Sequence, residues 1–365
     1  MTTVPRWLYP NRVWDSAAVL TSSSINSGQP LAWLKDQLRS KTARTSIGWD
    51  VDANNGKLDF NNGSNLTATI ASGNYAAGAD LATAVQTALT AAYGTGVWTV
   101  TYSPSTHKFT ITHSLTAFVL KWSTGTNAAI SIGKDLGFDT SSDSGSSTTQ
   151  TGANAVYQSR KWFKADFGSP LSAQAGVVIN HNAGAGGTFT LQGNATDAWS
   201  APSFPQVLAG DATIRIAFFA TQTFRWWRLL IDDTGNTAGY SEVGIWFVGP
   251  YIQPSVTYSI DFHEEPQDLS ETAMSVGGAT FLTQRSQQQT WSLNWAEIPD
   301  ADKVLLRAAA DAHPVGKPFF MALDAVANPT TQTFYVYLPA KPRFDYVPGN
   351  PYWNVSHSLN EALGG

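Results

Sequence analysis

Catalysis or metal binding needs acids, bases or soft ligands that converge on a cleft, and this chain of 365 residues spreads such groups thinly. Its six histidines, His107, His113, His181, His263, His313 and His357, lack the i, i+4 or short-loop spacing of metal ligands. His263-Glu264-Glu265 is the one local cluster, and it reads as the solvated end of a strand before a polar stretch. Gly184-Ala185-Gly186-Gly187 has the texture of a phosphate cradle, but no Lys-Ser/Thr follows it and the next residues have a strand pattern, so it reads as a sharp turn. Asp232-Asp233 sits in a turn with its carboxylates facing opposite ways, and no Gly-x-Ser-x-Gly elbow occurs. With no cysteine, disulfides and thiolate metal sites are excluded. The expectation is a protein that is not an enzyme and holds neither cofactor nor metal.

Composition points to interfaces. Charged residues make up 13% of the chain, about half the usual share of roughly 25%, while 12% are aromatic, with 14 tryptophans. A surface so poor in charge suits a subunit that covers much of it with neighbours. The net charge of -5 supplies no basic stripe, so nucleic acid is an unexpected partner. No run of eighteen apolar residues occurs and the first twenty residues lack the pattern of a signal peptide, so the expectation is no membrane insertion and assembly in the cytoplasm.

The elements come next. In residues 213–250 two apolar-rich runs, 224–231 and 240–248, flank Asp232-Asp233-Thr234-Gly235-Asn236, which predicts a β-hairpin. Phe224, Trp226, Arg228 and Leu230 should share one face of the first strand, and Arg225, Trp227, Leu229 and Ile231 the other. This run, with Glu242 at the start of the next strand, resembles the late strands of discoidin-like galactose-binding domains, which are β-sandwiches that bind sugars at loops on one end. Residues 1–47 resemble the opening of the same domain, and 160–168 its continuation. The domain is therefore expected to be split, 1–47 plus 154–249, around a guest at 48–153.

In the guest, strands at 57–60 and 66–70 precede a helix from Asp80, its expected N-cap, to Tyr93, with Leu81, Val85 and Leu89 in one stripe. Strands at 98–102, 108–112 and 118–122 follow, and residues 140–152 read as a flexible return linker. The set resembles a ββαββ module of viral structural proteins. From 250 to 365 the pattern is a strand at 256–263, a loop at 264–275, then strands at 280–282, 287–295, 319–323, 333–338 and 352–359, with one helix whose stripe is Val304, Leu305, Ala308, Ala309 and Ala312. Residues 290–298, 333–339 and 352–361 resemble the tail-tube-like domain of siphophage distal tail proteins, although there that domain comes first.

The fold class expected is mainly β with minor α: a discoidin-like β-sandwich split by an inserted ββαββ module, followed by a tail-tube-like β-sandwich flanked by one helix. The resemblance implies a structural virion protein of a phage tail tip, a distal or minor tail component assembled in the host cytoplasm. It would form a ring, six-fold as tail tubes are, joining the tail tube protein to tail-tip hub or fibre proteins. The alternative is a carbohydrate-binding module protein acting on cell-surface glycans. In the discoidin-like resemblance, sugars are gripped at inter-strand loops, and the residues offered there are His181, Asn182, Asp197 and Trp199. An exposed indole stacks on the apolar face of a sugar while amide and carboxylate groups bind its hydroxyls.

Overall fold

The computed structural model describes residues 5–15, 17–259, 262–278, 280–349 and 351–363. The fold is mainly β with minor α, as expected; among the described residues the α-helices are Gly78–Ala92 and Asp300–Ala312.

Two long antiparallel strands, Lys161–His181 and Ile214–Asp232, organise the sandwich, with Lys161 opposite Ile231 and Ile179 opposite Ile214. Their register shifts between Asp166 and Leu171, where Gly168 takes a φ of 73°. Such a bulge bends both strands, so each has two arms with different neighbours. The arm beginning at Lys161 is flanked by Val19–Ser22, and the arm ending at Asp232 by Thr188–Asn194. Further along, Glu242–Gly249 and then Ala43–Arg44 extend the sheet. Inward-facing Phe163, Ala165, Trp227, Leu229 and Ile231 meet Val178, Trp246 and Val248 in one core. Strands from residues 19–44 thus pair with strands beyond residue 160, leaving the intervening chain as an insert.

The hairpin expected at 213–250 does not form. Glu242–Gly249 pairs with Lys161–His181, which lies between it and Ile214–Asp232. Two alternating runs joined by a turn read alike whether they pair or flank a third strand; here the third strand, Lys161–His181, comes earlier in the sequence than both.

The insert has its own core, in which Leu81, Val85 and Leu89 of the helix meet Phe60, Trp98, Phe109 and Ile111. The strands Lys57–Asn61 and Asn65–Thr69 precede the helix, and Trp98–Ser103 and Lys108–His113 follow it. The helix begins at Gly78 with Ala77 at its N-cap, and Asp80 lies inside the first turn. Residues 140–152 are not a free linker. Thr149–Thr151 pairs with Lys108–His113, the Thr110 and Thr151 hydroxyls are 3.0 Å apart, and Asp143 accepts from the backbone of Ser123 and Thr124. A run of Ser, Thr and Asp reads as solvated by composition, yet here its hydroxyls and carboxylate are the pairing groups. At the entry to the insert Gly48 has a φ of 92°, and a Cβ there would lie 2.3 Å from the Tyr75 carbonyl oxygen, so only glycine fits.

The C-terminal sheet has the order Tyr251–Ile252, Arg6–Leu8, Pro318–Ala322, Thr333–Tyr337, Tyr352–Glu361, Gln287–Pro299, His263–Asp268, with Arg343–Tyr346 also on Tyr352–Glu361. Arg6–Leu8 therefore belongs to this sheet and not, as expected for residues 1–47, to the sandwich. Trp7 and His357 are separated by three strand spacings, about 14 Å in a flat sheet, yet their rings are 4.9 Å apart. The sheet therefore folds over on itself around Trp291, Leu293 and Trp295, which share one face as expected. Its other face, Leu8, Phe320 and Ala322, packs on Val177, Ile179 and Phe247 of the sandwich. Strands buried on both faces join the two sheets into one stack.

The helix stripe differs from expectation: Asp302, Leu306, Ala309 and Ala310 are buried, whereas Val304 and Leu305 are exposed. Asp302 fixes this rotation by accepting from the Ser255 backbone N–H at 2.9 Å and hydroxyl at 2.6 Å. The loop expected at 264–275 contains the strands His263–Asp268 and Glu271–Met274, the second forming a hairpin with Thr280–Thr283. Of the strand expected at 256–263, residues 260 and 261 lie outside the described residues, and 256–259 are not in a strand.

Candidate functional site

The alternation along Lys161–His181 that sends Phe163 and Ala165 into the core sends Trp162 and Lys164 to the opposite face. Register places Lys164, Arg228 and Gln192 side by side across three strands, with Trp162 next to Leu230. This outer face of the sandwich forms a floor. One wall is the insert, through Asp50, Asp52, Asn54 and Asn55, and the other is the stretch Trp199-Ser200 with Pro202. Together they enclose a cleft of about 160 Å³ that opens to solvent, small beside typical ligand pockets of about 300–1,000 Å³.

Charge is arranged here in contact pairs, with two exceptions, Arg228 and Asp52. Lys161 Nζ is 2.5 Å from Asp50 Oδ2, Arg160 Nη2 is 3.0 Å from Asp135 Oδ2, and Lys164 Nζ is 2.7 Å from Asp197 Oδ2. Arg228, only 4% exposed, has no carboxylate within 4 Å among the described residues. Its Nε donates to Gln192 Oε1 at 2.7 Å, and its guanidinium carbon lies 4.5 Å from the centre of the Trp199 ring. Burial pulls its pKa down to about 10, with Asp52 opposing the shift and Arg160 adding to it, so it remains a cation at neutral pH. Asp52 is half-buried at the rim and accepts from Trp162 Nε1 at 3.2 Å and from the Asn54 backbone at 2.6 Å. Burial also lowers the pKa of Lys161, against the pull of Asp50.

The four residues expected to bind sugar are divided by this geometry. Asp197 and Trp199 follow the C-terminal end of Thr188–Asn194, where Asn194 Nδ2 donates to the Ala198 carbonyl. His181 lies against Phe189, ring centres 4.7 Å apart and tilted, at the other end of that strand, about 17 Å away by strand rise. His181 Nε2 lies 3.1 Å from the Asp211 carbonyl oxygen, and burial, then the charge of Arg215, lowers its pKa. Asn182 closes the loop, donating to the Tyr240 carbonyl and accepting from the Glu242 backbone. Its amide is used within the fold. Trp199 lines the pocket but is 6% exposed, its ring covered by Arg228 and its Nε1 donating to Asp197 at 2.6 Å. Of the two indoles that line the pocket, Trp162, half-buried in its floor, is more open than Trp199.

Asp52, Arg160, Trp162, Gln192 and Arg228 were not read as site residues from the sequence. The available signal was the alternation itself, which placed Arg228 and Leu230 opposite the core residues Trp227 and Leu229.

The sequence matches no family model and no curated protein. Among solved structures it is similar to a chitosan-binding module 1 derived from a chitosanase/glucanase of Paenibacillus sp. IK-5, at 12% identity over 67% of this chain and 100% of that one, with a TM-score of 0.30. A family 32 carbohydrate-binding module from C. perfringens NanJ, in complex with galactose, matches at 6% identity over 69% of this chain and 100% of that one, with a TM-score of 0.28. A fucolectin from striped bass serum matches at 10% identity over 58% and 85%, with a TM-score of 0.20. Scores this low define no common fold across the aligned chains and assign no ligand.

Proposed function

We propose that this chain is a glycan-binding protein whose sugar site is the pocket between the sandwich and the insert. One observation carries the reading: Arg228 and Asp52, neither held in an ion pair, line the same pocket beside Trp162. Hydroxyl groups both donate and accept, so a polyol ring can donate to Asp52 and accept from Arg228 while its apolar face lies on the indole. Gln192, Asn54 and Asn55 add amides to the lining. The reading is binding without turnover.

The test is a glycan array probed with the full-length chain, followed by titration of the best ligand into wild type and Trp162→Ala. Loss of the stacking surface should weaken binding roughly tenfold with folding intact, since such contacts contribute about 0.5–1.5 kcal/mol and 1.4 kcal/mol is a factor of ten. An array with no ligand, or full affinity in Trp162→Ala, removes this site from consideration.

A second reading, an assembly subunit such as a ring-forming component of a phage tail tip, is favoured by the hairpin of Glu271–Met274 and Thr280–Thr283. Every residue of both strands is exposed, including Met274 at 74%, Phe281 and Leu282. An isolated two-stranded hairpin is marginal in water, and clustered apolar exposure of this kind marks a contact surface. Light scattering of the full chain should then give a multimer, six subunits for a closed ring of the expected kind, that falls to monomer in Phe281→Asp/Leu282→Asp. A wild-type protein that stays monomeric across a wide concentration range counts against this reading.

A further inference from the structure

The glycan reading leaves open what kind of sugar the pocket takes, and the charge pattern of its floor addresses that. Two cations, Arg160 and Arg228, and two carboxylates, Asp50 and Asp52, line the pocket; Lys161, Lys164, Asp135 and Asp197 lie behind the lining in ion pairs. Three pairs are in contact, which leaves Arg228 at the floor and Asp52 at the rim more than 4 Å apart. Their surroundings differ. Asp52 is half-exposed and both of its oxygens already accept a hydrogen bond, so water and the protein together meet its charge. Arg228 is almost fully buried, where an unpaired charge is costly.

The orientation of the guanidinium narrows the complement. Its Nε side is taken by Gln192 and one face of its plane by Trp199, so the end carrying Nη1 and Nη2 is the part left for a ligand. Two parallel N–H groups match the two oxygens of a carboxylate.

We propose that the pocket's ligand is an acidic sugar of the uronic-acid class, its carboxylate seated end-on against Arg228 and a ring hydroxyl donating to Asp52. The proposal rests on the glycan reading and adds to it the sign and shape of the recognised group. Asp52 is then an asset: it repels a second anion at the rim but suits a hydroxyl donor, so one carboxylate next to hydroxyls fits better than a densely charged chain. The Arg160 guanidinium is neutralised by Asp135, which leaves Arg228 as the cation without a contacting carboxylate in the pocket lining.

The experiment titrates the full-length protein with short oligosaccharides of a hexuronic acid, with the same sugars as methyl esters, with the neutral parent hexose, and with a sulfated hexose. A charged hydrogen-bonded pair contributes about 1.5–3 kcal/mol, so the acid should bind roughly ten- to a hundredfold tighter than its ester, with affinity falling as salt is added. Arg228→Lys, which keeps the charge and loses the fork, should retain part of that preference, and Arg228→Gln none. The ester comparison uses unaltered protein, so it decides the matter even where these buried substitutions fail to fold. Equal binding of acid, ester and neutral parent overturns the proposal and leaves the glycan reading standing. Preference for the sulfated sugar overturns the carboxylate assignment. Binding of none of the four, alongside an empty glycan array, sinks the glycan reading itself.

Discussion

Asp135→Ala is expected to lower the stability of the whole chain by about 3–5 kcal/mol, the usual cost of removing one member of a buried ion pair. Asp135 is 1% exposed and lies in the insert, and its carboxylate accepts four hydrogen bonds. Oδ1 takes the Arg160 backbone N–H at 2.7 Å and Nε at 3.1 Å; Oδ2 takes Nη2 at 3.0 Å and Asn55 Nδ2 at 2.9 Å. Burial by itself would lower the Arg160 pKa, but the carboxylates of Asp135, Asp232 and Asp52 together outweigh it, Asp135 foremost, and the net shift is upward. The alanine variant leaves that cation, its side chain 18% exposed, with only the Ser131 carbonyl on its Nη2. Urea unfolding measures the loss. Because the same pair is costly to desolvate, Asp135→Leu/Arg160→Met should recover most of the stability, and a double variant as weak as the single one would show that the hydrogen bonds, not the stranded charge, carry the effect. Loss of stability in Asp135→Ala should be accompanied by loss of sugar affinity, since the insert forms one wall of the pocket.

That coupling also explains which parts of the molecule were legible in the sequence. Period-two alternation told the faces of residues 225–231 apart, and the i, i+4 stripe of Leu81, Val85 and Leu89 found the insert's helix, because both patterns are local. Which strands pair is not local. Residues 232–241 look like a hairpin turn, and nothing in them records that Lys161–His181 fills the space between the flanking strands. The helix rotation was missed for a similar reason: its apolar residues allow a stripe through Val304 and Leu305, but the Asp302 bonds to Ser255, forty-seven residues away by sequence, choose another. The pocket was the least legible feature. It takes Asp52 from the insert, Trp162, Gln192 and Arg228 from three strands, and Trp199 from a connecting stretch, and no two of them form a sequence motif. His181 and Asn182 looked the part because His and Asn in a loop suit a sugar, yet the loop needs their polar atoms for its own backbone.

Acid should weaken the fold steeply, and His357→Phe should make that dependence shallower. His357 is 6% exposed between Trp7, at 4.9 Å, and Trp295, at 4.7 Å, and neither ring nitrogen has a hydrogen-bond partner among the described residues. Burial pulls its pKa down to about 3. His313, packed on Tyr9 and Phe319, is pulled down to about 4, mainly by burial, with the Ala309 carbonyl opposing the shift. Both imidazoles are therefore neutral in the folded chain over a range in which the unfolded chain, with a histidine pKa near 6.5, binds a proton at each. A depressed folded-state pKa stabilises above the unfolded value and loses that contribution as pH falls through the folded one. The window thus opens near pH 6.5 and closes near 4 for His313 and near 3 for His357. Within it each histidine takes about 1.4 kcal/mol of stability per pH unit. Carboxylates titrate in the lower part of the window too, but they cancel when wild type is compared with His357→Phe at each pH. The variant should lose one proton from the difference in uptake, and at neutral pH it should equal or exceed wild type, because phenylalanine fills the slot between the two indoles without stranding two polar atoms that cost about 1–3 kcal/mol each when unpaired. Urea midpoints from pH 7 to pH 4 measure both effects. Parallel curves for the two proteins would place the proton uptake elsewhere, and a large loss at neutral pH would mean that water reaches the imidazole and the bond it makes there supports the core.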